Sequence, residues 1–108
     1  MDGTDSYFDV GVRSGVVTTV EATGELDAAS SKELERVLTE VLADHHDVAV
    51  DLAKVTFIDS SGLRVVTAAA RDAEAAGSTF VVSGASTAVR RIFEITGLGG
   101  LLSLPPEP

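Results

Sequence analysis

The order of patterns along the chain predicts an α/β domain: a mixed, mostly parallel sheet of about four to five strands, with helices mainly on one face. Stretches rich in β-branched residues alternate with stretches of helical apolar spacing. Each helical pattern follows a strand pattern, the order expected when helices cross over between parallel neighbours. Right-handed crossovers then place those helices on a common side. At 108 residues, without repeats or a linker, the chain is expected to form a single domain over 1–108, with 102–108 as a flexible tail.

The elements follow in order. "SYFDVGVR" and the β-branched "GVVTTVEATG" read as two strands, with "RSG" between them as a tight hairpin connection. From Asp27 the period changes, and Leu34, Val37, Leu38, Val41 and Leu42 fall on one helical face. Ser30 and Glu33 have the spacing of a capping box, and Asp27 is an earlier candidate cap. This helix should end near Asp44. "VAVDLAKV" restores strand character; Val48, Val50 and Leu52 alternate with Ala49, Asp51 and Ala53, so both faces are mostly apolar and the strand is expected to be central and covered. "SSGLRVVTAAARDAEAAG" reads as a second helix with Leu63, Val66, Ala70 and Ala73 inward and Gly77 at its stop. "STFVVSG" is a further short strand. "STAVRRIFEITG" is a third helix, capped by Ser86, with Val89, Ile92 and Phe93 inward. The glycine- and proline-rich end should be a short extended piece and a frayed tail.

Composition excludes several kinds of function. Without cysteine there are no disulfides, no thiolate chemistry and no Cys-based metal site. His45 and His46 are adjacent, and side chains about 100° apart on a helix do not chelate one ion easily, so no metal is expected. They suit a solvated helix end near the negative end of the dipole. The formal net charge of −9 argues against nucleic acid and against anionic membrane surfaces, both of which need clustered Lys and Arg. No apolar run is long enough to span a bilayer, and "MDGTDSYFDV" has acids where a secretory signal has basic residues. A cytoplasmic location is the expectation.

Chemistry concentrates at one junction, "VTFIDSSGLRVV", where an apolar run ends in Asp59, Ser60, Ser61 and Gly62 and a helical pattern begins. Three readings compete. A nucleophilic serine needs a base, and the two histidines sit near the end of the first helix, away from this junction. The nucleophile-elbow pattern G-x-S-x-G and the phosphate loop GxxxxGK[ST] are both absent. An enzyme is therefore the weakest reading. A helix cap is physically sound, at roughly 1 kcal/mol for the capping residue. It explains one residue, not an acid with two hydroxyls. The third reading is a hydroxyl presented for modification. A helix N-terminus favours anions, so a phosphate on Ser60, roughly −1.5 to −2 in charge, fits there without unfolding the domain.

The residues also carry a family resemblance. "TGELDAASSKEL", "VAVDLAKVTFIDSSGLRVV" and "STAVRRIFEITGL", in this order and spacing, resemble the STAS domains of bacterial anti-sigma factor antagonists over nearly the whole chain. The resemblance implies that Ser60 is phosphorylated by a partner that is both an anti-sigma factor and a serine kinase. The unphosphorylated antagonist binds that partner and frees its sigma factor; a serine phosphatase restores the hydroxyl. It implies no catalysis and no cofactor in the antagonist itself. Asp27, Asp59, Ser61, Gly62 and Arg64 are then candidate partner contacts. Each also has a plainer role: Asp27 and Asp59 as caps, Ser61 as a cap or minor acceptor, Gly62 in the turn or in tight helix–sheet packing, and Arg64 as a solvated charge. The alternative within the family is a non-phosphorylated subunit of a larger signalling or lipid-transport assembly. The chain departs from the usual pattern at Thr87, where many members have proline, and in stopping at Pro108, where many continue into another helix. Contacts that depend on that helix do not carry over.

Overall fold

The computed structural model describes residues 7–44 and 47–103. Ser6, His45, His46 and 104–108, about which the sequence raises expectations, lie outside the described residues. A four-stranded sheet runs in the order β1 (Phe8–Arg13), β2 (Val17–Leu26), β3 (Asp47–Ile58), β4 (Phe80–Ala85). β1 and β2 form an antiparallel hairpin; β2, β3 and β4 are parallel neighbours. The helices α1 (Ala28–Ala43), α2 (Ser60–Ala75) and α3 (Thr87–Ile95) follow β2, β3 and β4 in turn. This is the mixed, mostly parallel sheet that the alternation of patterns predicts.

Strand order and burial explain where the helices lie. Each crossover moves one strand along the sheet, so right-handed connections stack the helices on one face. Thr18, Val20 and Ala22 of β2 and Phe80 and Val82 of β4 are buried beneath them, while their alternate neighbours are less so. Leu34, Val37 and Leu38 of α1, Val66, Ala69 and Ala73 of α2, and Val89 and Phe93 of α3 close over this face in one core. Ala69, with Ala73, is buried in α2 where Ala70 was expected; Leu63 and Ala70 lie at the margin of the packed stripe.

Three expectations need correction. β3 is central, as read, but only one of its faces is packed: Asp51 is half-buried and Ala53 exposed on the other. Ala49 is buried there because its flanking strands shield so small a side chain. The capping box of α1 joins Asp27 to Ser30, not Ser30 to Glu33. Asp27 leaves β2 in an extended conformation, so its carboxylate reaches the first turn, whereas Ser30 is already helical. After α3 the chain makes a 3₁₀ turn, Gly99–Leu101. Leu102 then forms an isolated parallel bridge with Val82, and the Ser103 amide donates to the Val82 carbonyl at 2.8 Å, so these two residues are held against β4.

Candidate functional site

The candidate residues gather at the carboxyl ends of β2 and β3. These strands end in register at Leu26 and Ile58, and the next residues, Asp27 and Asp59, cap α1 and α2. The Asp59 amide also donates to the Leu26 carbonyl at 3.2 Å, tying the two helix starts together. Two consecutive helices thus begin side by side on the same sheet edge. That edge, beyond the carboxyl ends of parallel strands, is where open α/β folds generally place their sites.

The two starts use their side chains differently. At α1, Asp27 Oδ1 accepts from the Ser30 amide at 3.0 Å and from the Ser30 hydroxyl at 2.9 Å. Ser30 Oγ in turn accepts from the Asp27 amide at 2.9 Å. The Ser30 amide above all, with its hydroxyl, holds the Asp27 carboxyl below the ordinary value. At α2, Asp59 Oδ1 accepts from the Ser61 amide at 2.8 Å and the Gly62 amide at 3.2 Å. Asp59 alone provides that cap. Neither the Ser60 nor the Ser61 hydroxyl has a hydrogen-bond partner among the described residues. Ser60 is exposed, at the first position of the helix, where the dipole favours negative charge.

Gly62 points the other way. It is buried, and a Cβ there would stand 2.8 Å from Ile58 Cγ1 and 2.9 Å from Leu26 Cδ2 and Cγ. Its missing side chain lets α2 approach the strand ends closely, which is the packing role open to it in the sequence. It has almost no surface to offer a partner. Arg64 is exposed one turn further along α2 and faces Lys32 of α1 across a cleft, with Ser61 at the near end.

A feature not singled out in the sequence lies beside Ser60. β4 pairs with β3 only from Val48 to Leu52, so the end of β3 projects past it. Thr56, Phe57 and Ile58 then form one wall of a groove of about 550 Å³, opposite Thr87, Arg91 and Ile92 of α3. Phe57 is 49% exposed, and Ile92, read as inward, is only partly buried. The signal was available: Phe57 and Ile58 are adjacent in a strand, so one of the two apolar side chains must face outward. Among the described residues no cluster of His, Asp and Glu could hold a metal ion, and no helix is long and apolar enough to cross a membrane.

Fold and site together define a small α/β domain that presents a free serine hydroxyl at a helix start. A family model described as "Mlab, STAS domain" matches residues 12–104, and the chain belongs to the STAS family. It is similar to the anti-sigma-B factor antagonist of Staphylococcus epidermidis, with 36% identity over 84 residues, 77% of this chain and 78% of the relative. The crystal structure of an anti-sigma factor antagonist from Mycobacterium paratuberculosis superposes with a TM-score of 0.82 at 28% identity, covering 94% of this chain and 87% of the other. The phosphorylated form of the Bacillus cell fate determinant SpoIIAA shares the fold, with a TM-score of 0.71 at 20% identity, covering 94% and 93%.

Proposed function

We propose that this protein is a non-catalytic, cytoplasmic anti-sigma factor antagonist. Unphosphorylated, it binds an anti-sigma factor with serine kinase activity and so releases a sigma factor; phosphorylation of Ser60 ends the binding, and a serine phosphatase reverses it. One observation carries the reading. Asp59 caps α2 unaided, so the exposed Ser60 hydroxyl has no bond in the fold and is free for a partner's chemistry. The antagonist names of the similar proteins support the same reading.

The switch follows from desolvation. A surface centred on Ser60, with Asp59 and Asp27 behind it and Phe57 and Ile92 at its margin, loses water when a partner docks. A phosphate there must be dehydrated as well, at a cost of several kcal/mol unless matched by cations. A loss of about 4 kcal/mol weakens affinity roughly a thousandfold. Asp59 adds a like charge next to it, and the chain as a whole is at −9. The fold need not change.

The test is capture from native lysate with wild-type, Ser60→Ala and Ser60→Glu baits, with the prey identified by mass spectrometry. Wild type and Ser60→Ala should retain an ATP-binding anti-sigma kinase that Ser60→Glu loses. Equal capture by all three, with no kinase among the prey, would instead identify a constitutively bound STAS subunit of a larger assembly.

A further inference from the structure

Ser61 faces a different environment from Ser60. It stands at one end of a cleft of about 410 Å³ between α1 and α2, with Lys32 and Arg64 on opposite walls. The chain has 8 Lys and Arg against 17 Asp and Glu, yet these two cations converge here. Neither makes an ion pair among the described residues, whereas Arg36 and Lys54 do. Glu35 is the one carboxylate on the described walls. Ser31 lines the same cleft; it is 3% exposed, and its hydroxyl has no hydrogen-bond partner. A buried hydroxyl usually finds a partner, and a helical serine can bond the carbonyl four residues back. This one does neither, and its oxygen is closed off from solvent; what the cleft itself offers is two cations without an ion pair among the described residues and a free Ser61 hydroxyl.

We propose that Ser61 is a second phosphorylatable hydroxyl, and that the cleft between α1 and α2 receives its phosphoryl group through Lys32 and Arg64. In the transfer the Ser61 oxygen forms a bond to the γ-phosphorus of ATP as the bond from that phosphorus to the β,γ-bridging oxygen breaks. ADP leaves, and the hydroxyl proton passes to a base of the kinase. That step rests on the kinase partner proposed above; reception of the phosphate by the cleft does not. The two modifications then differ in kind. A phosphate on Ser60 is bare and repels, while one on Ser61 is largely neutralised within the domain and joins α1 to α2.

The test needs no partner. Phosphoserine is placed genetically at position 60 or 61 of the full chain, and each phosphate is titrated by phosphorus NMR. An ordinary phosphate monoester has its second pKa near 6. Nearby cations favour the dianion, so the position-61 phosphate should titrate about half a unit to one unit below the position-60 phosphate. Lys32→Ala/Arg64→Ala should abolish that difference; both residues are exposed, and circular dichroism verifies that the fold survives. Equal midpoints at the two positions would overturn the proposal. In a parallel arm the unmodified chain is titrated with inorganic phosphate. Phosphate-dependent shifts at Lys32 and Arg64, with no lowered midpoint at position 61, would overturn the covalent assignment and leave a site for free phosphate.

Discussion

Gly62→Ala tests how the site is held in place. A methyl group at position 62 would come within 2.8 Å of Ile58 Cγ1 and 2.9 Å of Leu26 Cγ and Cδ2. Normal contact is near 3.5–4.0 Å, so about an ångström of movement is needed. Neither neighbour yields easily. Leu26 is fully buried, Ile58 is 7% exposed, and both lie in strands that pair with each other. Overpacking of this kind typically costs about 1–3 kcal/mol, against which alanine regains up to ~1 kcal/mol of helix propensity over glycine. The net expectation is a loss of about 1–2 kcal/mol, or a fall in Tm of roughly 5–15 °C for a domain of this size. Urea titration followed by circular dichroism measures it, with the m-value unchanged. The start of α2 should also be pushed off the strand ends, displacing Ser60 and weakening capture of the partner more than the stability loss explains. A variant as stable as wild type would refute the close-approach reading. If it also lost the partner, Gly62 would be a surface contact after all.

Further predictions concern the caps and the hydroxyl. Asp59→Ala should destabilise by about 1 kcal/mol in urea titration, and Asp59→Asn by only a few tenths, because either oxygen can accept from the Ser61 and Gly62 amides. The lowered carboxyl of Asp27 contributes stability that is complete above the ordinary value of 3.8 and is lost as pH falls through the lower folded value. Asp27→Asn removes that dependence, so the stability advantage of wild type over the variant should shrink between neutral pH and about pH 3. An advantage independent of pH would remove the carboxylate from the account of α1. Ser60→Ala should melt within about 0.5 kcal/mol of wild type, since the hydroxyl bonds to nothing in the fold. A larger loss would show that it has a structural role.

Most of the fold was legible because its signals are periodic. The stripe of Leu34, Val37 and Leu38, and the β-branched runs of β2 and β4, state both element and inward face. What escaped was set by pairing between distant segments. Whether the far face of β3 is covered depends on where each crossover lands, and not on the strand's own residues. Leu102 looks like part of a frayed end until Val82 is known to lie beside it. The candidate site divides in the same way. Asp59 through Gly62 were visible as a local cluster. Lys32 was not, because it sits on another helix and meets Arg64 and Ser61 only once α1 and α2 pack together.

The comparison between the two helix starts says most about why Ser60 stands out. Both follow neighbouring strands that end in register, and both use an aspartate in extended conformation as the cap. At α1 the serine three residues on is engaged. Its amide bonds Asp27, and its one hydroxyl hydrogen lies between two acceptors, Asp27 Oδ1 at 2.9 Å and the Glu25 carbonyl at 2.7 Å. At α2 the corresponding place is Gly62, which has no side chain to complete a capping box and is pressed against Leu26 and Ile58 instead. The hydroxyls have moved to the first and second helical positions, where the cap does not require them. The same scaffold thus closes its first helix start with hydrogen bonds and leaves two hydroxyls open at the second. An open hydroxyl on a start anchored by Gly62 is what a charge switch requires, because a phosphate there changes the surface without breaking any bond that holds the fold.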